Sequence, residues 1–266
     1  MTMLKINFQL QELDKIAPFG KAPALSLHWF GLTDGLLWID VGQQTIYEYT
    51  PEAQNYFGRN IRYNDYQLSR FLEDFFYTFG YISESVPFRF YNNIEDFYTR
   101  AIQWKESHFD DDDDTFDRFY DEKYEPLTDW YHDRSFDSGH LVGGPYIGCF
   151  RHNDRIKILW ESDYKLEDGH NLWTSPKGVF ELYYEDFVQA VNEFLDKFFS
   201  AMGKQVEMAL AKDWDEISLD KKRLVTEHEE RKETFYRQLS YLKKQSANKT
   251  DWQKVIGIAD EMPKIR

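Results

Sequence analysis

The chain has 266 residues, 42% hydrophobic and 18% aromatic, enough for a sizeable core in one large domain or two small ones. Its 47 acids against 32 bases leave a formal net charge of −15, which repels nucleic acid and anionic membrane and favours cationic partners. A single cysteine, Cys149, excludes a disulfide framework and a cysteine-based zinc site.

Leu4, Ile6, Phe8 and Leu10 alternate with Lys5, Asn7 and Gln9, the pattern of a half-buried strand and not of a signal-peptide core. No run approaches 18 apolar residues, so a membrane-spanning helix is not expected and a cytoplasmic location is. Leu25–Phe30 and Leu36–Val41 read as strands joined through the Asp34-Gly35 turn, with Thr45–Tyr49 as the next strand of an antiparallel meander. Trp38 and Asp40 then share one face and Leu37, Ile39 and Val41 the other. Asn64 or Asp65 caps a helix reaching about Phe79, whose stripe of Leu68, Phe71, Leu72, Phe75, Phe76 and Phe79 has core spacing. A further helix runs from about Ile94 to Lys105, with Phe97, Ala101 and Trp104 inward.

Between Glu106 and Asp137 stand thirteen acids against three bases, supplying ten of the fifteen net negative charges. Disordered acidic tails are poor in aromatics; here Phe109, Phe116, Phe119, Tyr120, Tyr124, Trp130 and Tyr131 are interleaved, so an ordered anionic element is expected. On a helix Phe116, Phe119, Tyr120 and Tyr124 share one arc, and Asp110, Asp113, Asp114, Asp117, Asp121 and Glu125 fall mainly on the other. The acids at 113, 117, 121 and 125 recur every fourth residue, about 6 Å of rise, and Pro126 is expected to interrupt the helix. A solvated helix face is the plain reading, since Asp110–Asp114 suit a helix N-terminus and Asp114 pairs with Arg118 at i,i+4. A calcium loop beginning at Asp110 fails twice: Thr115 stands where the sharp turn wants glycine, and Asp121 where a bidentate glutamate belongs.

After Gly139, Gly143 and Gly144, Tyr146–His152 and Arg155–Glu161 form a hairpin through Asn153-Asp154. Asn171–Ser175 and Val179–Tyr183 read as a second hairpin. Long helices follow over about Glu185–Ala211 and Ser218–Gln245, and Thr250 with Gln253 is a capping box for a last one. Tyr63, Asp65, Tyr66 and the Phe71–Phe76 run echo Tyr184, Asp186, Phe187 and the Phe194–Phe199 run. The expectation is an α+β fold of antiparallel sheets packed with amphipathic helices; the echo reads either as two diverged sheet-then-helix units or as chance similarity between two aromatic-rich amphipathic helices. The chain is treated as one domain over 1–266, with halves 1–137 and 138–266 as the other division.

Trp29-Phe30-Gly31-Leu32-Thr33-Asp34-Gly35 with Trp38 and Asp40, then Leu172-Trp173-Thr174, then Leu224, Glu227-His228-Glu229 and Arg231, together resemble an uncharacterised bacterial family, one of the domains of unknown function. That resemblance implies a bacterial cytoplasmic origin and carries no activity.

Catalytic signatures are missing. Gly143-Gly144 lacks the Lys and Ser/Thr of a phosphate loop, and there is no nucleophile elbow, paired-histidine zinc helix or dinucleotide fingerprint. His140, Cys149 and His152 lie close in sequence, but Cys149 sits mid-strand as a small core residue. His228, between Glu227 and Glu229 on a charged helix, reads as a surface or interhelical hydrogen-bonder and not as a ligand. A binding protein without a cofactor is therefore expected: an immunity or inhibitor protein that neutralises a basic partner such as a nuclease toxin. Asp110, Asp113, Asp114, Asp117, Asp121 and Glu125 would meet that partner, with Trp130 and Tyr131 as aromatic anchors. The alternatives are a metal-dependent hydrolase using the Asp110 segment, and an oligomerisation scaffold using the charged helix from Ser218.

Overall fold

The computed structural model describes residues 4–58, 60–244 and 250–263. The chain lays down β1 (Leu4–Leu10), β2 (Leu25–Ser26), the turn of helix α1 (Trp29–Leu32), β3 (Asp34–Val41), β4 (Gln44–Ile46), α2 (Pro51–Tyr56) and β5 (Asn64–Gln67). Four helices follow: α3 (Leu68–Tyr77), α4 (Phe79–Ile82), α5 (Phe88–Tyr91) and α6 (Ile94–Glu106). Next come α7 (Asp113–Phe119), a π-helical turn over Tyr120–Tyr124, and α8 (Glu125–His132). The remainder is β6 (Ser135–Phe136), β7 (Tyr146–His152), β8 (Arg155–Glu161), β9 (Lys177–Tyr183), α9 (Tyr184–Ala211), β10 (Ile217–Ser218), α10 (Lys221–Lys244) and α11 (Trp252–Glu261). This is an α+β fold with two four-stranded antiparallel sheets.

In the first sheet β3 is central. It pairs with β1 from Gly35 to Val41, and its other edge is shared by β4 and β5. Alternation along β3 sends Leu37, Ile39 and Val41 inward and leaves Trp38 and Asp40 half-buried on the opposite face. Asp40 is held by hydrogen bonds from Asn7 (2.8 Å) and Thr45 (3.0 Å). The inner face is roofed by α9, where Phe8 meets Phe194 and Phe198 edge-on at 5.8 and 5.7 Å. Such aromatic pairs add about 0.5–1.5 kcal/mol each beyond their buried area. Helix α10 packs along α9 through Leu224, Phe235, Leu239 and Leu242.

The second sheet runs in the order β6-β7-β8-β9. Its β7 residues are buried on both faces, so the sheet divides two hydrophobic cores. Ile147 and Cys149 belong to the large core under α9, while Phe150 belongs to an aromatic core with Phe90, Phe97, Trp104, Phe119, Tyr124, Trp130 and Tyr131. Burial pushes the Cys149 thiol up to about 12, so it is a packed apolar group in this fold. The β7–β8 hairpin follows the expected register, from Tyr146 opposite Glu161 to His152 opposite Arg155.

Several local expectations are corrected. Leu25–Phe30 is not a partner of β3: only Leu25–Ser26 is extended, and it pairs parallel with Ile217–Ser218. Asn64 and Asp65 do not cap a helix but lie in β5, which passes directly into α3. The aligned Asp186 lies inside α9, so the two sheet-then-helix junctions do not superpose residue by residue. β9 pairs with β8 and not with 171–175, where Trp173 instead bridges to Tyr49. The last helix is capped by Asp251, which accepts the Lys254 N–H at 3.1 Å; the Thr250 hydroxyl is spent on Glu84. The end of α10 expected at Gln245 lies outside the described residues.

Candidate functional site

The acidic stretch is an ordered rod. Asp112 begins it by accepting the Thr115 N–H at 3.1 Å and the Thr115 hydroxyl at 2.9 Å, which holds its carboxyl below the usual range. Pro126 does not end the helix as expected. The turn just before it widens, so that the Glu125 N–H reaches the Tyr120 carbonyl five residues back. This shift comes where proline has no donor to offer the ladder, and Pro126 then occupies the first turn of α8, where its missing N–H costs little.

One side of the rod is anchored. Phe119 and Tyr124 are buried, and His108 stacks on Phe119 at 3.7 Å. Asp110, Asp113, Asp114, Asp117, Asp121 and Glu125 are exposed. Among the described residues none of these six lies within ion-pair distance of a lysine or arginine. Two of the segment's bases are committed elsewhere. Lys123 reaches Glu261 in α11 at 2.7 Å, and Arg134 is wholly buried against Glu84. The third base, Arg118, stands on the rod itself and helps to lower Asp112, but among the described residues it forms no ion pair with any of the six, so the face keeps a large excess of negative charge.

Trp130 and Tyr131 are placed differently from expectation. They are 1% and 5% exposed, enclosed by α6, β7 and α11, and Trp130 packs on Phe97 at 4.9 Å and on Trp252 at 5.3 Å. Adjacent residues on a helix point about 100° apart, so both are covered only because α8 is wedged between packed elements. The aromatics that stay near the acids at the surface are Phe109, half-covered Phe116 and Tyr120, with ring centroids 5.7 and 6.3 Å apart in that order. They escaped notice because Phe116 and Tyr120 belong to the same helical arc as the buried Phe119 and Tyr124.

His140, Cys149 and His152 do not form a constellation: His152 Nδ1 lies 2.8 Å from the Val86 carbonyl, and Cys149 is enclosed in the large core. Among the described residues no three His, Cys, Asp or Glu side chains converge to hold a metal ion.

A second meeting of singled-out residues lies across the molecule. Trp29, fully buried, donates its indole N–H to His228 Nδ1 at 3.1 Å. Arg231 lies over the Trp29 ring at 4.6 Å and donates to Glu73 at 2.6 Å and Glu227 at 2.9 Å. Segments 199 residues apart thus lock α1 to α10. Trp173 donates to the Gly143 carbonyl at 2.6 Å and stacks on Tyr49 at 4.6 Å, so it too serves as a joint.

Residues 5–257 match the model of a family of unknown function, DUF5984. The chain belongs to this family. No curated protein and no solved structure matches it. The family match spans both sheets and both cores, the Trp29–His228–Arg231 joint and the acidic rod. Among the described residues no helix is long and apolar enough to cross a membrane.

Proposed function

We propose that this chain is a binding protein that receives a basic protein partner on the acidic rod of α7 and α8, as an immunity or inhibitor protein neutralising a cationic toxin would. The observation that carries this reading is the set of six exposed carboxylates with no lysine or arginine at ion-pair distance among the described residues, while Lys123 and Arg134 are drawn away to Glu261 and Glu84. Like charges at i,i+4 oppose helix formation slightly, and here they stand on a rod whose other side is fixed in an aromatic core. A fixed field of one sign steers an oppositely charged partner and raises its association rate. Exposed Phe109 and Tyr120, with half-covered Phe116 between them, supply the apolar contact that charge alone does not.

The test compares immobilised wild type with D113K/D117K/D121K in extracts of the source cells at about 0.05 and about 0.5 M salt, across which exposed charges become screened. A basic protein is expected on the wild type at low salt, lost at high salt and absent from the variant. With that protein purified, association should slow by about tenfold or more in the variant. Equal retention and equal association rates for the two proteins at low salt would overturn the reading.

A further inference from the structure

We propose that the cleft where α6 and α8 meet the second sheet binds an organic cation, an alkylammonium or guanidinium group. This site is separate from the carboxylate face of the rod and stands whether or not that face meets a partner.

The cleft encloses about 580 Å³, within the range of small-molecule sites. Tyr98 from α6, Tyr131 from α8 and Tyr146 from β7 line it with rings within 6° of parallel and centroids 4.9 to 6.5 Å apart. Aromatic rings carry negative charge on their faces and attract cations lying over them, most strongly where water is excluded. Burial holds the Tyr131 and Tyr146 hydroxyls well above their ordinary range, so both rings are neutral phenols at physiological pH.

The charge around these rings is one-sided. Glu95, Asp137, Glu161 and Asp163 stand on the lining, and the cation among the lining residues, Lys177, is committed to Glu161 at 2.9 Å. Glu95, Asp137 and Asp163 have no lysine or arginine within ion-pair distance among the described residues. His132, beside Tyr146 at 3.4 Å, is kept neutral by burial, which lowers its affinity for a proton. An anion entering here would meet three unbalanced carboxylates; a cation would be balanced by them and held over rings.

The wall is also fixed in advance. The Gly143 carbonyl accepts from Ser162 at 2.9 Å and from Trp173 at 2.6 Å. Gly143 adopts φ 60°, and a Cβ there would stand 2.4 Å from the Tyr164 ring, so only glycine lets the two lining segments close. Preorganisation of this kind lowers the ordering cost of binding.

The test is a titration followed by ligand-observed NMR, with choline, its uncharged isostere 3,3-dimethylbutan-1-ol, and the acetyl-amide derivatives of lysine and arginine as probes. Choline or a derivatised side chain should bind about tenfold more tightly than the alcohol, the discrimination expected for a cation over desolvated rings. E95Q/D163N alters two exposed carboxylates, leaves the core alone and should weaken binding about fivefold; Y98L should weaken it by a similar factor. Choline binding alone points to a free amine, and tighter binding of the amino-acid amides points to a side chain of another protein. D113K/D117K/D121K should leave choline binding unchanged, which separates this site from the acidic rod. Equal affinity for choline and the alcohol, no binding of any cationic probe, or cation binding unaltered in both cleft variants would overturn the proposal.

Discussion

At the scale of single residues, His228 shows how a polar group becomes part of a core. Its ring is kept neutral by burial and by neighbouring Lys232, against the opposing pull of Glu229, and its Nδ1 accepts the Trp29 indole N–H. Protonation would replace that acceptor with a donor. Because the folded protein holds the proton less well than the unfolded chain, the stability tied to neutral His228 is complete above about pH 6.5 and is lost as pH falls through the lowered folded value. His132 and His140 are shifted the same way. Asp34, Asp74 and Asp129 are raised by burial and act with the opposite sign in a lower window, gaining stability as acid protonates them. H228Q keeps an acceptor for Trp29 and removes the titration. Its melting temperature should fall less between pH 7.5 and pH 5 than that of the wild type; identical slopes would show that this ring does not link stability to pH. That His228 makes hydrogen bonds was legible from its place on a charged helix, with a surface and an interhelical position both open. Its partner was not, because nothing local connects residue 228 to residue 29.

At the scale of elements, legibility followed the range of the interactions. The β7–β8 hairpin and α9 were readable because alternation, the Asn153 turn and a 3.6-residue stripe are local signals. The strand expected at Leu25–Phe30 failed because its pairing is with Ile217–Ser218, far along the chain. The rod was read as ordered and acidic, but its π turn and the burial of Trp130 and Tyr131 depend on α6, β7 and α11 closing around α8. The cleft tyrosines sit on three elements spread from 98 to 146, so no spacing rule gathers them. The rod itself makes a prediction. D117N/D121N removes three like-charge neighbours at i,i+4 while leaving Asp112 and Asp113 at the favourable helix start. Its melting temperature should stay level or rise by about one to three degrees, even as partner association slows. A clear fall in melting temperature would mean that these carboxylates hold the fold together and are not a surface held in reserve.

At the scale of the whole molecule, the two cores meet at Glu84. Its carboxylate is buried between α4 of the large core and the start of the aromatic core at Val86. It receives Arg134, the Thr250 hydroxyl at 2.7 Å, the Thr250 N–H at 3.2 Å and the Trp252 indole at 3.1 Å. One side chain thereby fastens α8 and α11 to the end of α4. Removing one member of a buried ion pair strands the other charge, typically at a cost of about 3–5 kcal/mol, whereas replacing both with apolar groups is often close to neutral. E84Q should therefore lose stability on that scale in chemical denaturation, and E84L/R134M should recover much of it. The loss should also be uneven. In E84Q, amide exchange should accelerate together across 88–132 and 252–261, the segments that enclose the aromatic core, while α9 and α10 keep their protection. A uniform acceleration over the whole chain would mean that the cores open as one unit and that Glu84 is an ordinary interior contact. Selective opening would identify it as the fastening that holds the acidic rod and the tyrosine cleft in register with the rest of the fold.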